Sequence, residues 1–450
     1  MTQMQRTTMG HVGAMPASTW HFLKMNDASV EIPEGLEIAP AVKASVSESA
    51  IGSDGDFEAA FAQAQRRWEE AHPAPTAQEL AERVAYMAAE ADATYGGTAL
   101  SEYQAGADAV ERARSLAAAF DHGMGEDAAG FLRSAAGNRI VVNAQAGQQV
   151  DAQVSLLVEP ETLSVAAVDV VAGRNSNVKL SIVVESNDGS ASENQVAAGF
   201  GDCTGISKEA DAAEEPKGVA GTTVRVFADD GATVDIVRMQ VLDDDYVDMD
   251  DMGLFASEGA HLSVTQTVLG AGKSFTGLAA DLRGRASRLD IGTRYLGRDS
   301  QARDFNYIVR HHGPASECDL AANGILAGTS SKTLRGTIDF VHGAKGAQGS
   351  ENETVLLVDE GVRNKTVPII LCNEDDVAGN HGATIGHVRD DQLFYLASRG
   401  LSQEAAERMF VGAIVEQAVL DAPTDALREG ALRFGERLSA GFAQLFDEGE

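Results

Sequence analysis

The spacing of apolar residues along the chain changes twice. Between residues 56 and about 120 it is helical, with Phe57, Phe61, Ala64 and Trp68 on one face. Thr76-Ala77-Gln78-Glu79 has the order of a capping box ahead of Leu80, Val84 and Met87, and Pro73 and Pro75 part this helix from the one before. A third, Ala-rich helix is predicted over 102–120. After Asn138 the pattern turns to alternation, with β-branched runs at 139–143, 153–158, 178–184, 223–227, 233–242, 261–269, 305–310 and 333–341. Gly231-Ala232-Thr233-Val234 and Gly259-Ala260-His261-Leu262 repeat one turn, and the strands recur at roughly 20–30 residues, the spacing of stacked coils. A β-solenoid is favoured over a sandwich. Residues 187–221 are polar, glycine-rich and acidic and read as an insertion or mobile loop. Residues 1–53 show no assignable pattern.

From Asp391 the helical period returns. Leu393, Phe394 and Leu396 form a first helix that Gly400 can end as a left-handed residue. Ser402 can cap a second helix carrying Met409, Phe410, Ala413 and Ile414. Pro423 separates a last helix with Leu427, Leu432, Phe434, Leu438, Phe442 and Leu445. Such stripes serve either as packing faces or as a helix pair that binds a partner. The predicted organisation is an N-terminal region over 1–136, largely helical from 56. A β-rich core follows over 137–388, interrupted near 187–221, and then a C-terminal helical region over 389–450.

Composition narrows the function. A chain of 450 residues with 44% hydrophobic content can bury a large core. Its 68 acidic residues against 35 basic ones give a net charge of −33, which repels a phosphate backbone and excludes nucleic acid as the expected partner. No apolar run approaches the roughly 18 residues that span a bilayer, and the first twenty residues lack a signal-peptide core, so no membrane span and a cytoplasmic location are expected. Cys203, Cys318 and Cys372 are far apart and form no CxxC pair, which indicates neither a disulfide framework nor a zinc site.

Several motifs invite chemistry and fail on inspection. Gly270-Ala271-Gly272-Lys273-Ser274 looks like the end of a phosphate loop, but the position that needs a leading glycine is Thr267, and a turn between coils is the better reading. Asp243-Asp244-Asp245 with Asp248, Asp250 and Asp251 lacks the order of a calcium loop and reads as a solvated turn. Asp375 and Asp376, taken as neighbours in an extended strand, would face opposite sides. Among the histidines, His311, His312 and His342 follow or end strands. His381 is flanked by Gly379 and Gly382 and is read as held in a tight turn. Cys372 precedes it, and closure of a turn between the two would let both face one cavity. Iron–sulfur ligation needs three or four donors, so a cluster here would take ligands from a second chain.

The block from Asp375-Asp376-Val377 through His381-Gly382-Ala383-Thr384 and Gly386 to Leu393-Phe394-Tyr395-Leu396, Ser398, Arg399 and Gly400 closely resembles the signature of the SufB/SufD family, the scaffold proteins of the SUF iron–sulfur cluster assembly system. Val309-Arg310-His311-His312-Gly313-Pro314, Thr333-Leu334-Arg335-Gly336-Thr337-Ile338 and Val355-Leu356-Leu357 extend the likeness over about 221–420. The resemblance implies a mainly β fold, a right-handed parallel β-helix core flanked by helical N- and C-terminal regions. It implies a non-catalytic scaffold in a heteromeric complex, where SufB-type and SufD-type subunits pair through their β-helices. Each C-terminal region docks a SufC-type ABC ATPase, here through Leu393, Phe394, Tyr395, Leu396, Arg399, Met409 and Phe410. In isolation a homodimer is a further expectation. No tightly bound cofactor is implied, only a transient cluster shared with the partner at His381, with Cys372 as a second candidate ligand.

The subunit type follows from two positions. Where SufB-type proteins carry a cluster-building cysteine this chain has Val362, and the His-Gly-Ala-Thr form of the motif agrees with the SufD type. Departures are Leu371 where a glutamate is common, Gly379 where a cysteine often stands, and Glu351 near a usual glutamine. The alternatives are a SufB-type main scaffold, a purely architectural subunit, and a polysaccharide-acting β-helix enzyme.

Overall fold

The computed structural model describes residues 4–16, 25–39, 42–71, 112, 115–137, 139–187, 215–387 and 390–438. The capping box at Thr76-Ala77-Gln78-Glu79, most of the helix predicted over 102–120, Cys203, the middle of the insertion, Phe442 and Leu445 lie outside the described residues. The unassigned leading segment contains four short strands, β1 (Thr7–Val12), β2 (Ala28–Ile32), β3 (Glu37–Ile38) and β4 (Val42–Val46). Helices α1 (Asp56–Ala71) and α2 (Glu126–Ala135) follow. The core comprises β5 (Arg139–Ala144), β6 (Gln149–Val158), β7 (Thr162–Ala172), β8 (Asn177–Ser186), β9 (Gly218–Ala228), β10 (Thr233–Val241), β11 (Tyr246–Ala256) and β12 (His261–Val268). It continues through β13 (Lys273–Leu282), β14 (Arg288–Gly297), β15 (Ala302–His311), β16 (Glu317–Leu326), β17 (Ser331–Phe340), β18 (Gln348–Leu357), β19 (Arg363–Cys372) and β20 (Ala378–His387). Helices α3 (Asp390–Ser398), α4 (Gln403–Leu420) and α5 (Asp425–Leu438) complete the described chain.

Strands β6 to β20 alternate between two parallel sheets, even-numbered strands in one and odd-numbered strands in the other, which is a β-solenoid. Thr233, His261, Arg288, Glu317, Gln348 and Ala378 stack as one column, a repeat of about 30 residues. The even strands from β8 to β18 are entered through the same backbone device. Asn175, Gly231, Gly259, Ala286, Ala315 and Gly346, each two residues ahead of an even strand, have positive φ. At the N-terminal end β4 adds antiparallel to β6, while β3 and β5 pair with β7.

The bore is filled by an apolar column running from Val142 and Val154 to Ile338 and Phe340. The outer face of the odd sheet is covered by the N-terminal region. Met9, Val12, Val30 and Ile32 of the β1–β2 hairpin pack with Leu132 of α2 on Val165 and Met249. Phe57 and Ala64 of α1 pack on Val171, Phe227 and Phe255. Ion pairs tie the same region down. Arg133 donates to both Asp169 oxygens at 3.0 and 3.1 Å, Arg112 reaches Asp339, Asp121 meets Arg310, and His122 lies 2.9 Å from Asp251. Gly123 lies so close to Gly277 that a β-carbon on either would collide with the other's backbone.

This covering explains what the sequence pattern missed. β7 and β11 are buried on both faces and show no alternation. The acidic cluster is corrected accordingly: Asp243-Asp244-Asp245 forms the predicted turn, but Asp248, Asp250 and Asp251 are fully buried in β11. Asp248 accepts from Arg238 at 2.6 Å, Asp250 lies 3.1 Å from the same guanidinium, and Asp251 receives the Met124 amide at 2.9 Å. Breaking such a buried pair by removing one partner costs about 3–5 kcal/mol. Burial pushes the Asp250 carboxyl up to about 6. Gly270-Ala271-Gly272-Lys273-Ser274 is the turn into β13, as expected. Asp375 and Asp376 sit in the bend between β19 and β20 rather than in a strand.

Candidate functional site

β19 and β20 end their sheets, and among the described residues no strand pairs with their outer edges. In β18 the buried positions are Gly349, Glu351, Glu353 and Val355, which face the bore. Parallel strands in register present matching side chains to the same face. Gly379, His381, Ala383 and Ile385 of β20 are therefore the next bore-facing layer, paired with Gly349, Glu351, Glu353 and Val355 respectively. Among the described residues no coil lies over that layer, and β20 is exposed along almost its whole length, with Ile385 at 51%.

The placement corrects the reading of His381 as a turn residue. It is the fourth residue of a strand, and neither Gly379 nor Gly382 has positive φ. Gly379 answers a packing need instead, because a β-carbon there would sit 3.0 Å from the Phe340 ring and 3.2 Å from Ile370. Cys372 ends β19 in register with buried Phe340, at the same open end. It is exposed and its thiol donates to the Glu374 carbonyl at 3.1 Å. Among the described residues, no group of three or more His, Cys, Asp or Glu side chains is arranged to hold a metal ion.

One coil below the opening is a polar cluster that the sequence did not suggest. Lys332 is ion-paired with Glu353 and donates to Thr366 at 3.0 Å, while Thr366 and the Tyr295 hydroxyl donate to Glu353 at 2.5 and 3.1 Å. Glu351 has no such support. It is 3% exposed, its Oε1 has no hydrogen-bond partner, and it lies against Gly336, where a β-carbon would collide with the carboxylate. Burial, with the Glu353 charge in second place, pushes its carboxyl up to about 7, against the opposing pull of Lys332. The one signal that could have found it is the coil repeat, which sets Glu351 thirty residues before His381.

The other histidines singled out in the sequence, His311, His312 and His342, lie away from this open end of the bore or on the surface. His311 is buried beneath Phe340, its ring nitrogens 2.8 Å from Ser316 Oγ and 3.3 Å from Cys318 Sγ. Burial pushes this imidazole down to about 3 and the Cys318 thiol up to about 12, so neither carries charge near neutrality. His312 is buried 3.8 Å from Asp281, and His342 lies on the surface 3.9 Å from Glu374.

The C-terminal helices divide their apolar residues between two uses. Val415, Ala418 and Val419 of α4 and Leu427, Ala431 and Phe434 of α5 pack on Val183, Met239, Val241, Leu269 and Leu296 of the even sheet. By contrast α3 presents Phe394 at 77% and Tyr395 at 56% exposure, and Met409 is exposed at the start of α4. Leu396 is half-buried, and Arg399 stacks over Tyr395 at 5.2 Å. Gly400, at φ 88°, ends α3 as predicted. The side chains of Leu393 and Phe410 lie outside the described residues.

The fold is a parallel β-solenoid whose last coil carries His381, and sequence comparison places it in a family. The family described as SUF system FeS cluster assembly, SufBD core domain, matches residues 191–414, which include β9 to β20, His381 and α3. The chain belongs to the SufB/SufD family and is most like SufD. It is 32% identical over 157 residues to the iron–sulfur cluster assembly protein SufD of Bacillus subtilis, covering 35% of this chain and 36% of that protein. It is 27% identical over 169 residues to SufD of Escherichia coli, covering 36% and 39%. SufB of Bacillus subtilis matches at 27% over 147 residues, 33% and 32% of the two chains. The chain thus spans about a third of the length of these curated relatives.

Proposed function

We propose that the chain is a SufD-like scaffold subunit for iron–sulfur cluster assembly that pairs with a SufB-type subunit and docks a SufC-type ATPase. The observation that carries this is the open last coil, where two free strand edges and an exposed His381 lie together. Exposed strand edges are templates for another chain, and a solenoid end needs a cap. A partner's coil laid on β19 and β20 would extend both sheets, cover Ile385 and enclose His381. That arrangement would supply from the partner further donors beside His381, since no group of three or more metal-binding side chains is arranged among the described residues. A neutral imidazole is a borderline ligand that holds iron less tightly than a thiolate, which suits a site that must release its cargo.

The ATPase would dock on the exposed apolar surface of α3 and the start of α4. Only residues 388 and 389 separate β20 from α3, so a pull on α3 transmits to the strand that carries His381. ATP binding by the partner would thereby open the site to iron and sulfide. This chain performs no catalysis in that scheme, and a cytoplasmic setting fits it. No helix among the described residues is long and apolar enough to cross a membrane. The N-terminal region covers the outer face of the odd sheet and α4 and α5 cover part of the even sheet, which narrows the open face a polysaccharide-acting β-helix enzyme would use.

Co-expression with SufB-type and SufC-type subunits followed by pull-down tests the reading. The wild-type chain should retain both, Phe394→Ser with Tyr395→Ser should lose the ATPase and keep the scaffold partner, and Ile385→Arg should lose the scaffold partner. Retention of neither by the wild type contradicts the proposal.

A further inference from the structure

We infer that Glu351 is a second protein ligand for the divalent cation that His381 receives, so that the open end of the bore holds a carboxylate–imidazole pair contributed by this chain alone. The inference rests on the reading of His381 as a cargo-binding residue and adds a residue that the sequence motif does not contain.

Three features point to it. Glu351 and His381 are register partners on adjacent parallel strands, about 4.8 Å apart, and face the same side. Glu351 is 3% exposed, and Oε1 has no donor. An oxygen in that condition lacks the hydrogen bonds that normally justify burying a charged group. The nearest basic side chain does not supply the need, because Lys332 is ion-paired with Glu353 and bonded to Thr366. One negative charge in the cluster is left without a counterion. On the opposite strand the residue stacked above Gly336 is Pro368, which brings no competing donor.

A cation entering at the mouth would exchange two water ligands for an imidazole nitrogen of His381 and an oxygen of Glu351. Nitrogen with carboxylate oxygen is a donor set that suits ferrous iron, with its remaining positions left open for a partner chain or sulfide. Coordination would also satisfy the orphan oxygen. Cys372 lies at the far end of β19, its thiol turned to Glu374, and is not needed for the pair.

Anaerobic equilibrium dialysis of the full chain against ferrous iron tests the pair directly. The wild type should bind one iron per chain, and Glu351→Gln and His381→Ala should each weaken binding at least tenfold. The double variant should bind iron no more tightly than the weaker-binding single variant, because both residues act on one ion. Glu351→Gln preserves the side-chain size, and circular dichroism and urea unfolding confirm that it folds. Wild-type affinity in Glu351→Gln with loss in His381→Ala overturns the role of Glu351 and leaves the His381 reading intact. Unchanged binding in both variants, or no binding by the wild type at millimolar iron, overturns the pair as a site.

Discussion

Replacing Glu351 by Gln should stabilise the protein, and by an amount that depends on pH. The side chain is buried with Oε1 unpaired, and its carboxyl is pushed from an ordinary 4.5 up to about 7. That change corresponds to about 3 kcal/mol between the protonated and ionised forms. The folded chain holds this proton more tightly than the unfolded chain does. Between the two values the native state therefore binds more protons, and stability falls as pH rises. Below about 4.5 the residue is neutral in both states and costs nothing, and above about 7 the whole penalty stands. Gln has the same size and no charge. In urea titrations followed by circular dichroism, the variant should exceed the wild type by about 1 kcal/mol near pH 5.5 and about 3 kcal/mol near pH 8.5. A constant difference across that range, or a variant less stable at high pH, would mean that the carboxylate is compensated in the folded state, and the reasoning would fail.

Asp169 predicts the opposite sign. It accepts from Arg133 and Arg225, and against the burial that raises its pKa these two guanidinium groups hold it below the ordinary carboxylate range. Asp169→Asn should cost about 3 kcal/mol in urea unfolding near neutral pH, because two partly buried arginines lose their partner. Its depressed pKa means that the stabilisation is present above the unfolded carboxylate value and is lost as pH falls through the folded one, so an equal loss at all pH would contradict the assignment. The repeated left-handed turn residue gives a paired test. Gly259→Ala, at φ 63° with open space around the added β-carbon, should lose about 1 kcal/mol, and Ala286→Gly, at φ 53°, should gain about 0.5 kcal/mol. Thermal shifts of the same sign in both variants would refute the backbone argument.

Much of the solenoid was legible in the sequence where one strand face meets solvent or a partly covered layer. β6 alternates exposed and buried positions over ten residues, and the run at 153–158 announces it. β7 carries the same bore-facing residues but is buried on its other face by the N-terminal region, so its sequence shows no period. The turn signal behaves likewise. Gly231-Ala232 and Gly259-Ala260 advertise the positive-φ position, whereas at Ala286 and Ala315 an alanine occupies it, and the strands that follow, β14 and β16, went unrecognised. His381 was read as a turn residue and is a strand residue, because glycine serves close packing at Gly379 as readily as it serves unusual backbone angles. Glu351 stood out in the sequence only as a departure near a usual family glutamine. Its interest arises from register, which joins residues thirty apart and becomes visible only once the coils are stacked.

In the proposed function His381 serves a site that a partner completes. The direct measurement is anaerobic cluster assembly in the reconstituted complex with SufB-type and SufC-type subunits, comparing the wild type with His381→Ala by absorption and by iron and sulfide content. The variant should form the complex and dock the ATPase as the wild type does, yet accumulate no cluster. Normal cluster formation in that intact variant complex would contradict the account and leave the chain an architectural subunit.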